Sequence, residues 1–291
     1  MKKYHYNQSP LYRLRSKKKL SDLLNTPLSS IQFLAKNNSN FKVFDVIGKN
    51  NKPREVQVPK KLLEALHRRL FILLSRLETP DYLHSGTKKR SHITNAQSHK
   101  KCIELSKLDI KSFFQSITRD SVYRFFNKTM ECSPDVSEIL SGCCTYDGHI
   151  PTGSKISQAL AFHCNKDLFD KINGISNSYE SVFTCYVDDL TFSGSSISKQ
   201  MIWEIKKQIH RSGYSYHKES NFKASDPKVV TGVVIHRNEL YVLNRHHKAI
   251  YDLREKYDSG EITLSEIDSL KGMLNSAGQI NEKFKIFSSL Y

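Results

Sequence analysis

The sequence predicts an α+β fold, in which helices cover an antiparallel sheet. Three patterns support this prediction. The apolar, strand-forming run Phe183–Phe192 is interrupted by two adjacent acids, as expected for a hairpin. The segment Ile103–Asp109 alternates apolar and polar residues and ends in an acid, which predicts a strand. Between residues 62 and 77, leucines recur every three or four positions, which predicts an amphipathic helix.

The two acids inside the apolar run are Asp188 and Asp189. Because side chains alternate along a strand, both acids can lie together only if the chain turns tightly between two strands. We therefore expect both acids at the tip of a hairpin. Such a tip supplies the oxygen ligands that hard divalent cations prefer, and one class of such sites uses two cations to move phosphoryl groups. An ordinary acidic β-turn is the alternative interpretation of the dipeptide alone.

The other elements follow from the same kinds of pattern. In the first third, the sequence predicts a basic, helix-prone extension over 1–27, strands at 41–47 and 54–58 around a Gly/Asn/Lys/Pro turn, a helix from Pro59 that stops before Pro80, and a basic loop over 84–101. In the middle, it predicts helices after Thr118 and around 135–142, a turn at 151–153 that leads into a helix, and a helix over 199–211. In the last part, it predicts strands at 229–235 and 239–243 joined by Arg237 and Asn238, and helices over 248–257 and 265–276.

The helix predicted from Pro59 has a clear start signal and a clear buried face. Proline is favoured at the first helical position because its missing amide hydrogen has no partner there in any case. The apolar side chains at spacings of three and four predict a buried stripe that belongs to the core. This stripe comprises Leu62, Leu63, Leu66, Leu70, Phe71, Leu74 and Leu77.

Charge is distributed very unevenly along the chain. The 291 residues contain 45 Lys plus Arg and 29 Asp plus Glu, a formal net charge of +16. Residues 1–107 contain 23 of these bases and 7 of these acids, whereas residues 108–291 contain 22 of each. The whole excess lies before Asp109, so a polyanion is expected to lie across the N-terminal third. A basic face kept for solubility is the alternative.

Composition also narrows the class of protein. The length suits one enzyme core with subdomains. No apolar run approaches the length of a membrane span, and the polar residues after Met1 do not form a secretory signal. The six cysteines include no Cys-x-x-Cys pair, which favours reduced thiols in a cytoplasmic protein.

At this point the chain resembles a reverse transcriptase over roughly residues 50–280. Asp109 with Phe113-Phe114 resembles motif A, Pro151-Thr152-Gly153 through Ser157 resembles motif B, and Tyr186-Val187-Asp188-Asp189 resembles the Tyr-x-Asp-Asp box. The resemblance implies a right-hand polymerase of fingers, palm and thumb with an antiparallel palm sheet. The implied divisions are a basic extension at 1–27, fingers at 28–104, a palm at 105–244 that returns to the fingers around 118–148, and a thumb at 245–291.

Two further segments resemble retron reverse transcriptases. Asn95-Ala96-Gln97-Ser98-His99 matches their Asn-Ala-x-x-His motif, and Val230-Thr231-Gly232 matches their Val-Thr-Gly motif. The resemblance implies a bacterial enzyme that copies part of a structured non-coding RNA, its template and primer, into branched msDNA with dNTPs as substrates. It also implies a role in antiphage defence with a separate effector protein. The extension at 1–27 is then expected to touch RNA phosphates, with a frayed tail as the alternative.

The resemblance also implies roles for individual residues. Asp109, Asp188 and Asp189 are the expected catalytic acids and the expected ligands of two Mg²⁺ ions. In the expected nucleotide site, Arg54 grips the triphosphate, Phe114 packs under the sugar and excludes a 2′-OH, and Gly153 and Ser157 belong to the motif B turn. Thr152 and Gln158 depart from the commonest form of motif B, so contacts with the base pair are expected to differ.

Contacts with RNA are expected from Asn95, His99, Lys88, Lys89 and Arg90. Support of the motif A strand is an equal alternative for Asn95 and His99. Either Lys218 or Lys223 could be the lysine that protonates pyrophosphate, and the sequence does not decide between them.

Two other functions remain as alternatives. The first is another bacterial reverse transcriptase, of the group II intron or diversity-generating kind, and the Asn95–His99 motif argues against it. The second is a catalytically inactive module that binds nucleic acid, and the complete set of three aspartates argues against that.

Overall fold

The computed structural model describes residues 3–48 and 53–288, with side chains described up to residue 285. The chain divides into two compact units. The first unit comprises Met1–Pro80, Ile110–Lys171 and Gln208–Ser215. The second comprises Asp81–Asp109, Ile172–Lys207 and Tyr216–Tyr291. Helices and antiparallel strands occur together, which confirms the predicted α+β class.

The strands and helices of the described residues are as follows, in chain order. The strands are β1 (Phe41–Ile47), β2 (Pro53–Pro59), β3 (Glu104–Ile110), β4 (Val182–Tyr186), β5 (Asp189–Gly194), β6 (Tyr216–Phe222), β7 (Lys228–Val230), β8 (Val233–His236) and β9 (Glu239–Val242). The helices are α1 (Lys17–Leu24), α2 (Leu28–Lys36), α3 (Lys61–Leu74), α4 (His92–Gln97), α5 (Phe113–Ser116), α6 (Arg119–Arg124), α7 (Pro134–Cys144), α8 (Ser157–Cys164), α9 (Lys166–Ser178), α10 (Lys199–Arg211), α11 (Asn244–Asp258), α12 (Leu264–Gly278) and α13 (Lys283–Ser288).

The first unit contains the predicted hairpin and the leucine-rich helix. Strands β1 and β2 pair antiparallel, and the turn predicted between them lies partly outside the described residues, at 49–52. Pro59 was expected to open the helix, but it is the last residue of β2 and pairs with Phe41, so α3 begins at Lys61. The buried stripe is confirmed at Leu63, Leu66, Leu70 and Leu74, whereas Leu62, in the first turn of α3, is 51% exposed.

The N-terminal extension belongs to the first unit and is packed within it. Ser16 caps α1 by accepting a hydrogen bond from the backbone N of Lys19, and Leu20 and Leu24 are buried on one face of this helix. Leu11, which precedes the helix, is also fully buried. The alternative of a frayed tail is therefore wrong for this part of the chain.

The second unit is built on a four-stranded antiparallel sheet with the order β4-β5-β3-β6. Helix α4 lies within the segment predicted as a basic loop, and Ser91 and Thr94 form a capping box at its start. The loop prediction is wrong there because this short helix has a buried apolar face. Ile93 and Ala96 belong to one core cluster with Leu105 of β3.

A three-stranded sheet of β7, β8 and β9 belongs to the same unit. The single strand predicted over 229–235 is wrong, because Thr231 and Gly232 both adopt positive φ (45° and 86°) and turn the chain between β7 and β8. The predicted turn at Arg237 and Asn238 is confirmed between β8 and β9. Helices α11 and α12 confirm the two predicted C-terminal helices and pack around Ile250, Leu270 and Leu274.

Candidate active site

The predicted hairpin turn is present, with Asp188 on the turn and Asp189 at the first position of the strand that follows. Tyr186, the last residue of β4, pairs with Asp189, the first residue of β5, so Val187 and Asp188 form the turn. Val187 has a φ of 61°, in the left-handed region that a β-branched residue adopts only at a cost. The turn presents Asp188, and Asp189 follows at once on the strand.

Strand β3 brings the third acid to the same place. Asp109 is the direct cross-strand partner of Asp189, and their side chains are 20% and 30% exposed. Burial raises the pKa of Asp189, Lys107 opposes that shift, and the neighbouring charge of Asp109 adds to it. Two partly buried carboxylates therefore repel each other unless a cation lies near them.

Three cationic or protonatable groups surround this acidic pair. Lys218 Nζ lies 3.5 Å from Asp109 Oδ2, and His217 Nδ1 lies 3.4 Å from Asp109 Oδ1. Lys107 Nζ lies 3.8 Å from Asp189 Oδ1. The geometry therefore favours Lys218 over Lys223 as the lysine beside the acids.

Sequence reasoning missed two of these neighbours, Lys107 and His217. Lys107 precedes Asp109 by two residues on an alternating strand, so both side chains share one face, and this signal was available. His217 gave no comparable signal, because its position depends on how β6 pairs with β3.

The chemistry of the acids fits a divalent cation. Carboxylate oxygens are the ligands that Mg²⁺ prefers. Burial is the main cause of the raised pKa of Asp189, and a bound cation would relieve the smaller contribution that comes from the charge of Asp109. Among the described residues, no group of three or more His, Cys, Asp or Glu side chains is already arranged as a complete metal site. The lysines beside Asp109 and Asp189 supply the positive charge in this structure.

The segment 82–85, before α4, supports the acidic hairpin, which consists of β4, the turn Val187–Asp188 and β5. The backbone N of Cys185, on β4, donates to Tyr82 O at 2.8 Å, and the backbone N of His84 donates to Cys185 O at 2.9 Å. Ser85 Oγ accepts a hydrogen bond from the backbone N of Val187 at 3.0 Å. This last contact lies on the strained residue of the turn itself. No sequence signal pointed to Ser85.

His99 joins the two strands of the acidic hairpin. Its Nδ1 lies 2.6 Å from Ser193 Oγ on β5, and its Nε2 lies 2.7 Å from Thr184 Oγ1 on β4. The side chain is 1% exposed, and burial lowers its pKa to about 3. A neutral imidazole offers one donor and one acceptor, and two hydroxyl groups satisfy both.

Asn95 is also buried, with no exposed surface. Its Nδ2 lies 3.4 Å from Thr231 Oγ1, and Thr231 Oγ1 donates to His92 O at 2.7 Å. Both side chains lie in the interior of this structure, which favours a supporting role, although the strands that His99 joins are β4 and β5 rather than the motif A strand β3. RNA contact by Asn95 and His99 stays a prediction.

The three basic residues predicted to contact RNA differ from one another. Arg90 donates to Leu83 O at 2.7 Å and to Asp81 Oδ1 at 2.6 Å, so its guanidinium has a structural role. Lys88 and Lys89 are exposed. RNA contact by these two lysines stays a prediction.

The motif B residues lie in the first unit. A Cβ on Gly153 would lie 2.7 Å from Gln57 O, so only glycine permits this close approach to β2, where the backbone N of Gly153 donates to the same oxygen. Ser157 is fully buried, and its hydroxyl donates to Pro151 O within the turn. In this structure the close approach that Gly153 permits is to β2, and the roles of Gly153 and Ser157 toward a nucleotide stay predictions.

Phe114 and Arg54 also lie in the first unit. Phe113 is buried against Phe169 and Tyr214, as expected for a core residue, and the ring of Phe114 packs against it with centroids 5.9 Å apart. Arg54 is exposed on β2. Their roles toward a nucleotide stay predictions.

Comparisons with known proteins identify the family. A family model for reverse transcriptase (RNA-dependent DNA polymerase) matches residues 47–250. The Retron Se72 reverse transcriptase of Salmonella heidelberg (strain 579083-10) is 29% identical over 218 residues, which cover 72% of this chain and 56% of that protein. The Retron Ec86 reverse transcriptase of Escherichia coli is 28% identical over 153 residues, which cover 52% of this chain and 48% of that protein.

This chain thus spans about half the length of these curated relatives. Among solved structures, the foamy viral protease-reverse transcriptase in complex with double-stranded DNA aligns at 18% identity and a TM-score of 0.49, over 87% of this chain and 39% of that one. The assignment rests on the family model. The chain belongs to the reverse transcriptase (RNA-dependent DNA polymerase) family, and its resemblance to the retron type is confirmed.

Proposed function

We propose that this protein is the RNA-directed DNA polymerase of a retron. One observation carries the proposal: β3 places Asp109 directly opposite Asp189, beside the turn that presents Asp188. Acids from two separate chain segments meet at one point, as a cation-assisted nucleotidyl transfer requires. The membership of the reverse transcriptase family names the reaction that such a site serves.

Asp109, Asp188 and Asp189 would hold two Mg²⁺ ions. When bound, these ions would lower the pKa of the primer hydroxyl and neutralise charge on the triphosphate and pyrophosphate. Lys107 lies beside Asp189, and Lys218, which lies beside Asp109, would protonate the pyrophosphate leaving group. The support of the turn by Ser85 keeps Asp188 in a defined position.

The proposed nucleotide site uses Arg54 for the triphosphate and Phe114 for the sugar. A guanidinium is a planar, permanent cation suited to phosphate oxygens. Gly153 and Ser157 would act by shaping the turn beside β2. If Phe114 excludes a 2′-OH, then Phe114→Val raises ribonucleotide incorporation relative to dNTP incorporation. Unchanged sugar discrimination in an active variant would remove Phe114 from this role.

The proposed partners are a structured non-coding RNA as template and primer, the msDNA product and a separate effector protein. These partners, antiphage defence and a site of action in the bacterial cytoplasm are proposed from the resemblance to retron reverse transcriptases, and the names of the relatives support the retron type. The exposed Lys88 and Lys89, within the basic N-terminal third, would contact RNA phosphates. None of the helices in the described residues is long and apolar enough to span a membrane.

The subdomains are proposed on the same basis. Residues 28–104 would form the fingers, residues 105–244 the palm, with a return to the fingers around 118–148, and residues 245–291 the thumb. The four-stranded sheet that holds the three acids supports the palm assignment. The helices α11 and α12 support the thumb assignment.

Two measurements on the purified protein test the proposal. Primer extension of oligo(dT) on poly(rA) with dTTP and Mg²⁺ is expected to give long products. Sequencing of the copurified nucleic acid is expected to give one structured RNA joined to DNA. Extension without such a product would indicate another kind of bacterial reverse transcriptase, and RNA binding without extension would indicate an inactive binding module.

A further inference from the structure

The single tryptophan of the chain, Trp203, lies in the wall of a cavity outside the candidate active site. The cavity has a volume of about 560 Å³ and lies wholly within the second unit. Apolar side chains in its wall include Leu105, Ile202 and Phe222. Its size is within the range of small-ligand sites. Trp203 itself is 54% exposed, which is unusual for so large an apolar side chain.

Helix α10 presents this indole between lysines. Its apolar face buries Met201 and Ile205, so Trp203 faces away from the core. Lys199 precedes the tryptophan by four residues and Lys207 follows it by four, and residues at this spacing are neighbours on a helix surface. Lys207 Nζ lies 4.7 Å from the centre of the ring. The helix therefore exposes an aromatic face flanked by positive charge.

The acids in the cavity wall are already engaged. Glu219 forms an ion pair with Lys206 at 2.6 Å, and Glu104 Oε2 accepts a hydrogen bond from the backbone N of Ile197 at 2.8 Å. Lys199 and Lys223 also line the cavity, and neither forms an ion pair with the residues that the structure describes. The cavity therefore combines an apolar wall, a flat aromatic ring and unneutralised ammonium groups.

We propose that this cavity binds an unpaired nucleotide of single-stranded nucleic acid. The base stacks on Trp203, and Lys199 and Lys223 contact the flanking phosphates. Aromatic platforms beside lysines are the usual means of holding single strands without sequence preference. A duplex is excluded because its base faces are stacked inside the helix. The site lies apart from the acidic hairpin, so binding there does not depend on the proposed catalysis.

The single tryptophan makes the test direct, because intrinsic tryptophan fluorescence reports on this cavity alone. Oligo(dT) and oligo(rU) are titrated into the protein, with an abasic oligonucleotide and a blunt duplex of equal length as controls. Both single strands are expected to quench the fluorescence, and their relative affinities show whether DNA or RNA is preferred. The abasic strand and the duplex are expected to quench at least tenfold more weakly.

Charge variants complete the experiment. Lys199→Gln with Lys223→Gln is expected to weaken quenching by about tenfold and to make the salt dependence of log K shallower by roughly 0.7 for each lysine removed. Lys128→Gln with Lys171→Gln removes two exposed lysines elsewhere and is expected to leave the quenching unchanged. Trp203→Ala, once its melting temperature is found to match that of the wild type, is assayed by filter binding at 25 °C and checks the stacking contribution independently.

Three outcomes would overturn the proposal. The first is the absence of quenching by any single strand. The second is equal quenching by the abasic strand or the duplex, which would show that the site binds phosphate charge without an unpaired base. The third is quenching by an acidic peptide with an apolar residue but not by oligonucleotides, which would identify a protein-docking surface. Single strands are expected to quench the fluorescence of Asp188→Asn as strongly as that of the wild type. Loss of polymerase activity and failure of this site are therefore distinguishable.

Discussion

Two hairpin turns of the second unit each consist of two residues and open on a residue at positive φ, but they differ in what holds them. Val187–Asp188 joins β4 to β5, and Thr231–Gly232 joins β7 to β8. Each begins with a β-branched residue at positive φ, 61° at Val187 and 45° at Thr231. Such residues rarely adopt this conformation, so the surrounding structure must stabilise both turns.

The source of that support distinguishes the turns. Thr231 uses its own hydroxyl, which donates to His92 O at 2.7 Å. The acidic turn is supported from outside, because Ser85 Oγ accepts from the backbone N of Val187. The side chain of Thr231 is thus used for packing the turn. In the acidic turn, the contact with Ser85 uses the backbone N of Val187 and no side chain of the turn. This arrangement suits a turn that presents a carboxylate to a ligand.

The largest effect is expected from the acid of the first turn. Asp188→Asn keeps the size of the side chain and removes the charge that binds a hard cation, so DNA synthesis should fall by more than about a hundredfold. RNA affinity should be retained, because the basic excess lies elsewhere in the chain. Asp258→Asn, an exposed acid on α11, is the matched control for primer extension and RNA binding.

The next effect concerns the buried residues behind both turns. Asn95→Ala with His99→Ala removes the imidazole that bridges β4 and β5 and an amide beside Thr231. The free energy of unfolding should fall by about 3 kcal/mol, because buried partners are left unsatisfied. Synthesis should fall equally on the cognate structured RNA and on a generic primed template. A selective loss on the cognate RNA would show that these residues recognise it.

The support by Ser85 should have a smaller and more specific effect. Ser85→Ala removes the acceptor for the backbone N of Val187, so the incorporation rate should fall by about tenfold with little change in melting temperature. Thr231→Val is the matched change in the other turn, and it should lower the melting temperature with a smaller effect on rate. If both variants lose rate and stability in the same proportion, the distinction between the turns is wrong.

The smallest effect concerns pH. Burial lowers the pKa of His99 from its ordinary 6.5 to about 3, so the folded protein holds this imidazole neutral while the unfolded chain protonates it below about pH 6.5. The free energy of unfolding should therefore fall as the pH decreases from 6.5 toward 3. His99→Gln should reduce that slope by up to about 1.4 kcal/mol per pH unit. His67 and His163, also buried, preserve part of the slope. Urea denaturation at several pH values measures it, and an unchanged slope would contradict the assignment.

The two turns also show what the sequence could predict. The acidic turn was predictable because two acids between apolar runs fit only a hairpin, and the alternation before Asp109 predicted β3. The second turn was missed because Val-Val-Thr-Gly-Val-Val has the composition of one strand, and Gly232 was its only local signal.

Long-range contacts were beyond local patterns. The pairing of Asp109 with Asp189 follows from sheet register, and the contact of Ser85 with Val187 joins residues 102 positions apart. The burial of Asn95 and His99 was likewise invisible, because polar residues are usually exposed. Such residues appear as recognition motifs in a sequence, and only the packing shows that they are internal.

The most direct test of the account is a Mg²⁺ titration of single-nucleotide addition to a DNA primer on an RNA template, with wild type and Asp109→Asn in parallel. The wild type should add only the complementary dNTP, should be inactive in a chelator and should recover as Mg²⁺ is restored. Asp109→Asn should add no nucleotide at any Mg²⁺ concentration that saturates the wild type. Addition by Asp109→Asn at the wild-type rate, or no addition by the wild type with Mg²⁺ present, would contradict the assignment of the acidic hairpin as the catalytic centre.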